Sequence, residues 1–170
     1  MQPQPDDTVI RPIQPDDRAA VIGLLTGSDP WTRLGFSLSD WERIFSPIPQ
    51  GRDCFVVTYR GQVAGVALVR PKFLFGDYLE LLGIAPDSRG QGLGRRLLAH
   101  IEQVTFSRGK NLFASVTDFN EAARAFYAKQ GFVEIGRLDD LLIRGSAEIL
   151  LRKTIGPARA RGKYEGKSVQ

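Results

Sequence analysis

Leu79-Glu80-Leu81-Leu82-Gly83-Ile84-Ala85-Pro86-Asp87-Ser88-Arg89-Gly90-Gln91-Gly92-Leu93-Gly94-Arg95-Arg96-Leu97-Leu98 reads as a strand, a glycine turn and the start of a helix. The apolar run from Leu79 to Ile84 is short and stopped by Pro86, whereas Leu93, Leu97, Leu98, Ile101 and Val104 recur at helical spacing beyond the turn. Gly90, Gly92 and Gly94 carry no Cβ, so successive backbone N–H groups can point outward at the turn, and the helix start adds partial positive charge. Together these features predict an anion site suited to phosphate.

Glycine-rich strand-to-helix turns hold phosphate in several folds, and spacing separates them. A Rossmann fingerprint starting at Gly90 needs its third glycine where Arg95 stands. A P-loop needs Gly-Lys-Ser or Gly-Lys-Thr after the turn, and neither follows. What remains is Arg89-x-x-Gly92-x-Gly94, which resembles the Arg/Gln-x-x-Gly-x-Gly/Ala motif of the GNAT superfamily of N-acetyltransferases. Downstream, Asn120-Glu121-Ala122-Ala123-Arg124-Ala125-Phe126-Tyr127-Ala128-Lys129-Gln130-Gly131-Phe132 resembles that superfamily's second signature, Asn-x-x-Ala-x-x-Phe-Tyr-x-x-x-Gly-Phe. The second segment also reads on its own terms: Asn120 is an N-cap, Ala122, Ala125 and Phe126 form an apolar stripe, and Gly131 stops the helix before another strand.

A chain of 170 residues fits one domain, large enough to bury roughly 70% of its unfolded surface. With 42% hydrophobic and 25% charged residues its composition is that of an ordinary globular protein, and no apolar run approaches the ~18 residues of a membrane span. Met1 to Asp7 is polar and acidic, unlike a signal peptide, so a cytoplasmic location is expected. The single cysteine, Cys54, opens an apolar strand and reads as core. The basic pI near 9.5 comes from the end of the chain: Arg159, Arg161, Lys163 and Lys167 against Glu165 supply +3 of the net +4. The remaining body is nearly neutral, which argues against nucleic-acid binding. The expected division is a disordered segment over 1–7, one domain over 8–153 and a basic, disordered tail over 154–170.

Strands are expected at Thr8 to Ile13, Cys54 to Tyr59, Gln62 to Arg70, Asp77 to Ile84, Leu112 to Val116, Phe132 to Arg137 and Glu148 to Lys153. Arg60-Gly61 reads as a hairpin turn. Asp16 or Asp17 is expected to start one helix and Ser39 to cap a second through Trp41, Ile44 and Phe45. The resemblance spans Thr8 to Lys153 and implies a single-domain mixed α/β fold. That fold has about seven mostly antiparallel strands, about four helices and splayed central strands.

The resemblance also implies acetyl-CoA as co-substrate, an amine as acceptor and no metal. Leu82, Gly83 and Ile84 would run beside the pantetheine arm, at a bulge that Gly83 tolerates. Backbone N–H groups of Gly90, Gln91, Gly92, Leu93, Gly94 and Arg95 would hold the diphosphate, with Arg89 in a supporting role. Asn120 would cap its helix and reach a pantetheine amide. Tyr127 would donate a proton to the departing sulfur, since a phenol near pKa 10 is protonated at neutral pH. Glu80 is the candidate base because a carboxylate inside an apolar strand needs an explanation; the alternative is a solvent-facing residue alternating with Leu79 and Leu81. Some members of the superfamily carry a carboxylate on the strand before the signature asparagine, and Ser115 stands there instead. His100, among Leu97, Leu98 and Ile101, reads as structural. For the acceptor, Trp31, Leu34 and Phe36 offer an apolar wall and Asp139 with Asp140 a cation-attracting pair. Two further readings compete with an N-acetyltransferase of unknown acceptor: a non-catalytic acyl-CoA-binding or sensing domain, and acetylation of proteins guided by the tail. Exposed strand edges make a homodimer a possible state of such a fold.

Overall fold

The computed structural model describes residues 7–159. Seven strands form one sheet: β1 (Thr8–Pro12), β2 (Asp53–Tyr59), β3 (Gln62–Phe73), β4 (Gly76–Ile84), β5 (Asn111–Thr117), β6 (Val133–Asp139) and β7 (Ala147–Thr154). Their spatial order is β1-β2-β3-β4-β5-β7-β6. Every neighbouring pair is antiparallel except β4 with β5, whose parallel pairing requires a crossover. The crossover is α3 (Leu93–Arg108), the helix of the glycine turn; α1 (Arg18–Leu25), α2 (Leu38–Phe45) and α4 (Glu121–Lys129) complete the helices. The expected single-domain α/β sheet is therefore present, with strand boundaries shifted by at most three residues, the most at the end of β3. β7 runs through Thr154, and the Ile155 N–H donates to Lys110 O at 3.0 Å, so ordered structure extends past the expected boundary at 153. The expected disorder of 1–6 and 160–170 lies outside the described residues.

Local chemistry accounts for the ends of the elements. α2 is capped by Ser37 rather than by Ser39: the Ser37 hydroxyl accepts from the Asp40 N–H while the Asp40 carboxylate accepts from the Ser37 N–H, a reciprocal box that only Asp40 at this spacing completes. Asp16 and Asp17 fall in a short 3-10 turn, Pro15–Asp17, that leads into α1. The Asp17 side chain does not cap α1; it is buried and accepts from Arg11 Nη1 (2.6 Å), Arg11 Nη2 (2.9 Å) and the Gln14 N–H (2.7 Å). At the β2–β3 hairpin Arg60 and Gly61 both take positive φ, the two-residue turn whose twist suits antiparallel strands.

Each sheet face carries its own core. Leu93, Leu97, Leu98 and Ile101 of α3 pack with Leu79, Leu112, Ala114, Val116 and Tyr127 on one face. Val21 and Leu25 of α1 and Trp41 and Phe45 of α2 pack with Val56, Val66, Leu68 and Leu81 on the other. Leu79 and Leu81 should share a face in a regular strand, and they do not. The register explains it: Leu68 pairs with Leu81 and Val69 with Leu79, so Glu80 is an extra residue, a β-bulge. Beyond it Leu82 and Ile84 face the α3 core while Leu81 and Gly83 face α1. Cys54 is buried in the α1–α2 core and burial pushes its thiol up to about 12, which leaves it a packing residue. His100 meets Phe55 edge-to-face with ring centroids 4.8 Å apart. Among the described residues no helix is long and apolar enough to cross a membrane.

The Arg11 guanidinium holds the Asp17 carboxyl below its ordinary range, so the ionised form stabilises the fold above about pH 4 and that contribution fades as pH falls. Asp17→Asn should therefore cost about 2 kcal/mol at neutral pH. In urea unfolding, the gap from wild type should shrink progressively below about pH 4.

Candidate active site

The bulge at Glu80 coincides with the separation of two strands. β4 pairs with β5 only through Asp77–Leu112, Tyr78–Phe113 and Leu79–Ala114. After Leu79 the strands part, so the backbone of Leu82 to Ile84 has β3 on one side and a cleft on the other. Strand N–H and C=O groups left facing a cleft are suited to pairing with an extended amide chain.

A groove of about 540 Å³ occupies this cleft. Leu82, Gly83 and Ile84 form one wall, Asn120 and the α4 residues Ala123, Phe126 and Tyr127 form another, and Arg89, Gly90, Gly92, Leu93, Gly94 and Arg95 close the end. Gly90 and Gly92 have φ of +78° and +74°, the left-handed region that a Cβ disfavours. Gly92 is the N-cap of α3, with no side chain capping the helix and no acidic residue in the first turn. The opening N–H groups of a helix have no intrahelical acceptor, so this bare end, with Arg95 beside it, is fitted to a diphosphate. Arg89 is exposed and its Nε lies 3.4 Å from Ile84 O, directed at the end of β4. Gln91 is exposed and does not line the groove. Asn120 caps α4 by accepting from the Ala123 N–H at 3.2 Å, and it faces the groove as well. The close packing of the α1–α2 loop depends on Gly83: a Cβ there would come within 3.0 Å of both Leu25 Cδ2 and Trp31 Cη2.

A second cavity of about 250 Å³ adjoins the groove on the α1–α2 side of the sheet. Trp31, Leu34 and Phe36 line it from the α1–α2 segment, and Leu141 and Leu142 line it from the β6–β7 loop. Trp31, Leu82, Asn120 and Tyr127 border both spaces. The Tyr127 ring is fixed between Phe126 and Phe132, each with a centroid distance of 5.2 Å. Its hydroxyl has no hydrogen-bond partner among the described residues, and burial, followed by the nearby Tyr78, pushes its pKa above that of a free phenol. Tyr127 is therefore a protonated donor throughout the neutral range.

Two expectations change. Glu80 lines the cavity, but both its oxygens are taken: Oε2 accepts from Arg52 Nε at 2.8 Å and Oε1 from Arg70 Nε at 2.7 Å. A carboxylate gripped by two guanidiniums holds the bulge in place and faces the cavity with both oxygens already accepting from arginine. Asp139 does not reach the site. It ends the exposed edge strand β6 and pairs with Arg137 at 2.7 Å, while Asp140 takes a left-handed conformation and accepts from the Gly145 N–H at 2.6 Å to shape the loop. The same loop presents Leu141 and Leu142 to the cavity instead.

Sequence reasoning missed a polar group on the cavity floor. The Tyr78 and Ser115 hydroxyls are 2.8 Å apart, and the Thr117 hydroxyl donates to Glu148 Oε1 at 2.5 Å. Glu148 stands opposite Thr117 in the β5–β7 register and is only 4% exposed. Burial raises the Tyr78 pKa, and Glu148 and Glu80 add to it. A signal existed in Ala147-Glu148-Ile149-Leu150-Leu151, a carboxylate in an apolar strand like that of Glu80.

A parallel junction that opens into a cleft, a bare helix start at its end and a tyrosine helix along its side are features of an acyl-CoA-dependent transferase fold. Residues 19–132 match the profile of the acetyltransferase (GNAT) family, and the chain belongs to that family. A 5-NmdU N-acetyltransferase of Pseudomonas phage PaMx11 is 35% identical over 82 residues, 48% of this chain and 57% of the phage protein. The peptidyl-lysine N-acetyltransferase YjaB of Escherichia coli is 37% identical over 106 residues, 61% of this chain and 65% of its own length. Each match thus spans less than two thirds of the relative. Among solved structures, an aminoglycoside 6'-N-acetyltransferase complexed with coenzyme A superposes with a TM-score of 0.73 at 19% identity, covering 89% of this chain and 99% of that one, and so shares the fold.

Alanine in the left-handed region costs about 1–2 kcal/mol, and Gly92 must hold that conformation for the helix start to stay bare. Gly92→Ala should weaken acetyl-CoA binding about tenfold in calorimetric titration, with the circular dichroism spectrum unchanged.

Proposed function

We propose that this protein transfers the acetyl group of acetyl-CoA to a primary amine by direct attack on the thioester. The observation that carries the proposal is the meeting of the groove and the second cavity at the unpartnered hydroxyl of Tyr127. In this reading the diphosphate sits on the N–H groups of Gly90 to Arg95, and the pantetheine pairs with the open edge of Leu82 to Ile84. The thioester then reaches the junction where β4 leaves β5. An amine entering from the second cavity attacks the carbonyl carbon, forming the C–N bond as the C–S bond breaks. Tyr127 gives its proton to the departing sulfur and recovers one from the nitrogen, leaving an amide and free CoA thiol. Holding both reactants at one junction supplies the proximity that replaces a bimolecular encounter.

The named acceptors of the family relatives differ, 5-NmdU in one name and a peptidyl lysine in another, so the acceptor here is argued from this chain's cavity. A domain that only retained acyl-CoA would have no use for an unpaired phenol facing a second cavity. That favours transfer over sensing.

Tyr127→Phe removes the donor while keeping the ring packed between Phe126 and Phe132. The rate of CoA thiol release with a panel of primary amines should fall about 100-fold, while acetyl-CoA affinity stays within about threefold of wild type. Equal turnover by the variant at every pH tested would contradict the donor role.

A further inference from the structure

The second cavity has an electrostatic character that the transfer reading does not by itself require. Among the described residues four titratable side chains line it, Tyr78, Glu80, Tyr127 and Glu148, and no lysine or arginine does. The charge of Glu80 is already balanced from outside by Arg52 and Arg70. Glu148 is different. It is more than nine-tenths buried, one oxygen accepts from the Thr117 hydroxyl, and the other has neither a donor nor a cation among the described residues. That second oxygen is open to the cavity and available to a donor from a ligand.

We propose that Glu148 is the acceptor-recognition residue: its free oxygen receives the ammonium of a primary amine carried on an apolar hydrocarbon stem. The proposal rests on the transfer reading for its purpose but stands on separate groups. The walls select the stem. Trp31, Leu34 and Phe36 on one side and Leu141 and Leu142 on the other offer apolar contact surface with the Trp31 indole N–H as their one side-chain donor, so a stem of methylenes is accommodated and a polyhydroxylated one loses most of its hydration without replacement. The floor selects the head group. Thr117 holds one oxygen of Glu148, which fixes the direction of the other, while the paired Tyr78 and Ser115 hydroxyls offer neutral neighbours to the remaining ammonium protons. Glu148 also completes the proton balance. The ammonium passes one proton to its free oxygen, the neutral amine then attacks the thioester, and the carboxylic acid later returns that proton to water, so that the net products are amide, CoA thiol and one released proton.

The test separates recognition from turnover. Isotope-labelled protein saturated with CoA is titrated with butylammonium and, in parallel, with the neutral 1-pentanol, following the amides of Tyr78, Ser115 and Thr117. Butylammonium should give saturable shifts at these residues and 1-pentanol none, and Glu148→Gln, which keeps an acceptor for the Thr117 hydroxyl, should weaken the butylammonium response at least tenfold. Glu148→Asp, which retains the charge, should restore part of it. Equal responses to amine and alcohol in the wild-type protein, or equal binding of butylammonium by Glu148→Gln, would overturn the assignment; the wild-type comparison decides even if the glutamine variant does not fold. Thiol release is measured on the same samples. Ammonium binding without thiol release from acetyl-CoA leaves the recognition site standing and removes the transferase reading; thiol release at the same KM for amine in wild type and Glu148→Gln does the reverse.

Discussion

Between Leu79 and Ile84 one strand meets two incompatible demands. On its β3 side β4 must continue an antiparallel ladder; on its β5 side it runs parallel, and it pairs there through only three residues. The bulge at Glu80 reconciles them. It inserts one residue without breaking the ladder to β3, moves Leu81 to the opposite core from Leu79, and coincides with the point where β5 diverges. The two guanidiniums on Glu80 hold the irregular residue from outside. The ligand groove, the second cavity and the exposure of the Leu82 to Ile84 backbone all follow from that local departure from regularity.

The charges around the cleft are arranged in two ways. At the far end of the groove the field is positive and made mostly of backbone: a helix start without a side-chain cap, left-handed glycines and Arg95. On the sheet floor the groups are acidic and differ in how they are satisfied. Both oxygens of Glu80 accept from arginines, whereas Glu148 is buried with one oxygen committed. Two carboxylates set in largely apolar strands thus differ in availability, and their partners rather than their positions in the sequence decide how each can meet a ligand. Tyr127 sits between these regions, neutral and protonated because burial penalises the phenolate.

How much of this was legible in the chain depends on the range of the interactions involved. The glycine turn, the α3 stripe and the Asn120 cap are set by residues within a few positions of one another, and each was readable from spacing alone. The α2 cap shows the limit of such reading: Ser37 and Ser39 are both good N-caps, and Asp40 three residues on selects Ser37. The count of strands followed from alternation and turn residues. Their order did not, nor did the bulge, because both are properties of pairing between distant strands. Gly83 was the natural place to expect distortion, yet it is regularly paired with Val66 and is needed for the approach of Trp31. Asp139 resembled a ligand for cations and lies on an exposed edge because β6 is the last strand of the sheet. The role of Glu148 is not set by its neighbours in the chain, because its partner Thr117 is 31 residues away.

Backbone hydrogen exchange measured with and without acetyl-CoA tests most directly whether the ligand lies in the cleft opened by the bulge, at the bare start of α3. A ligand in that cleft slows exchange at the amides of Leu82 to Ile84 and of Gly90 to Arg95 together. Unchanged exchange at both segments under saturating ligand, or protection confined to other parts of the sheet, would contradict that placement.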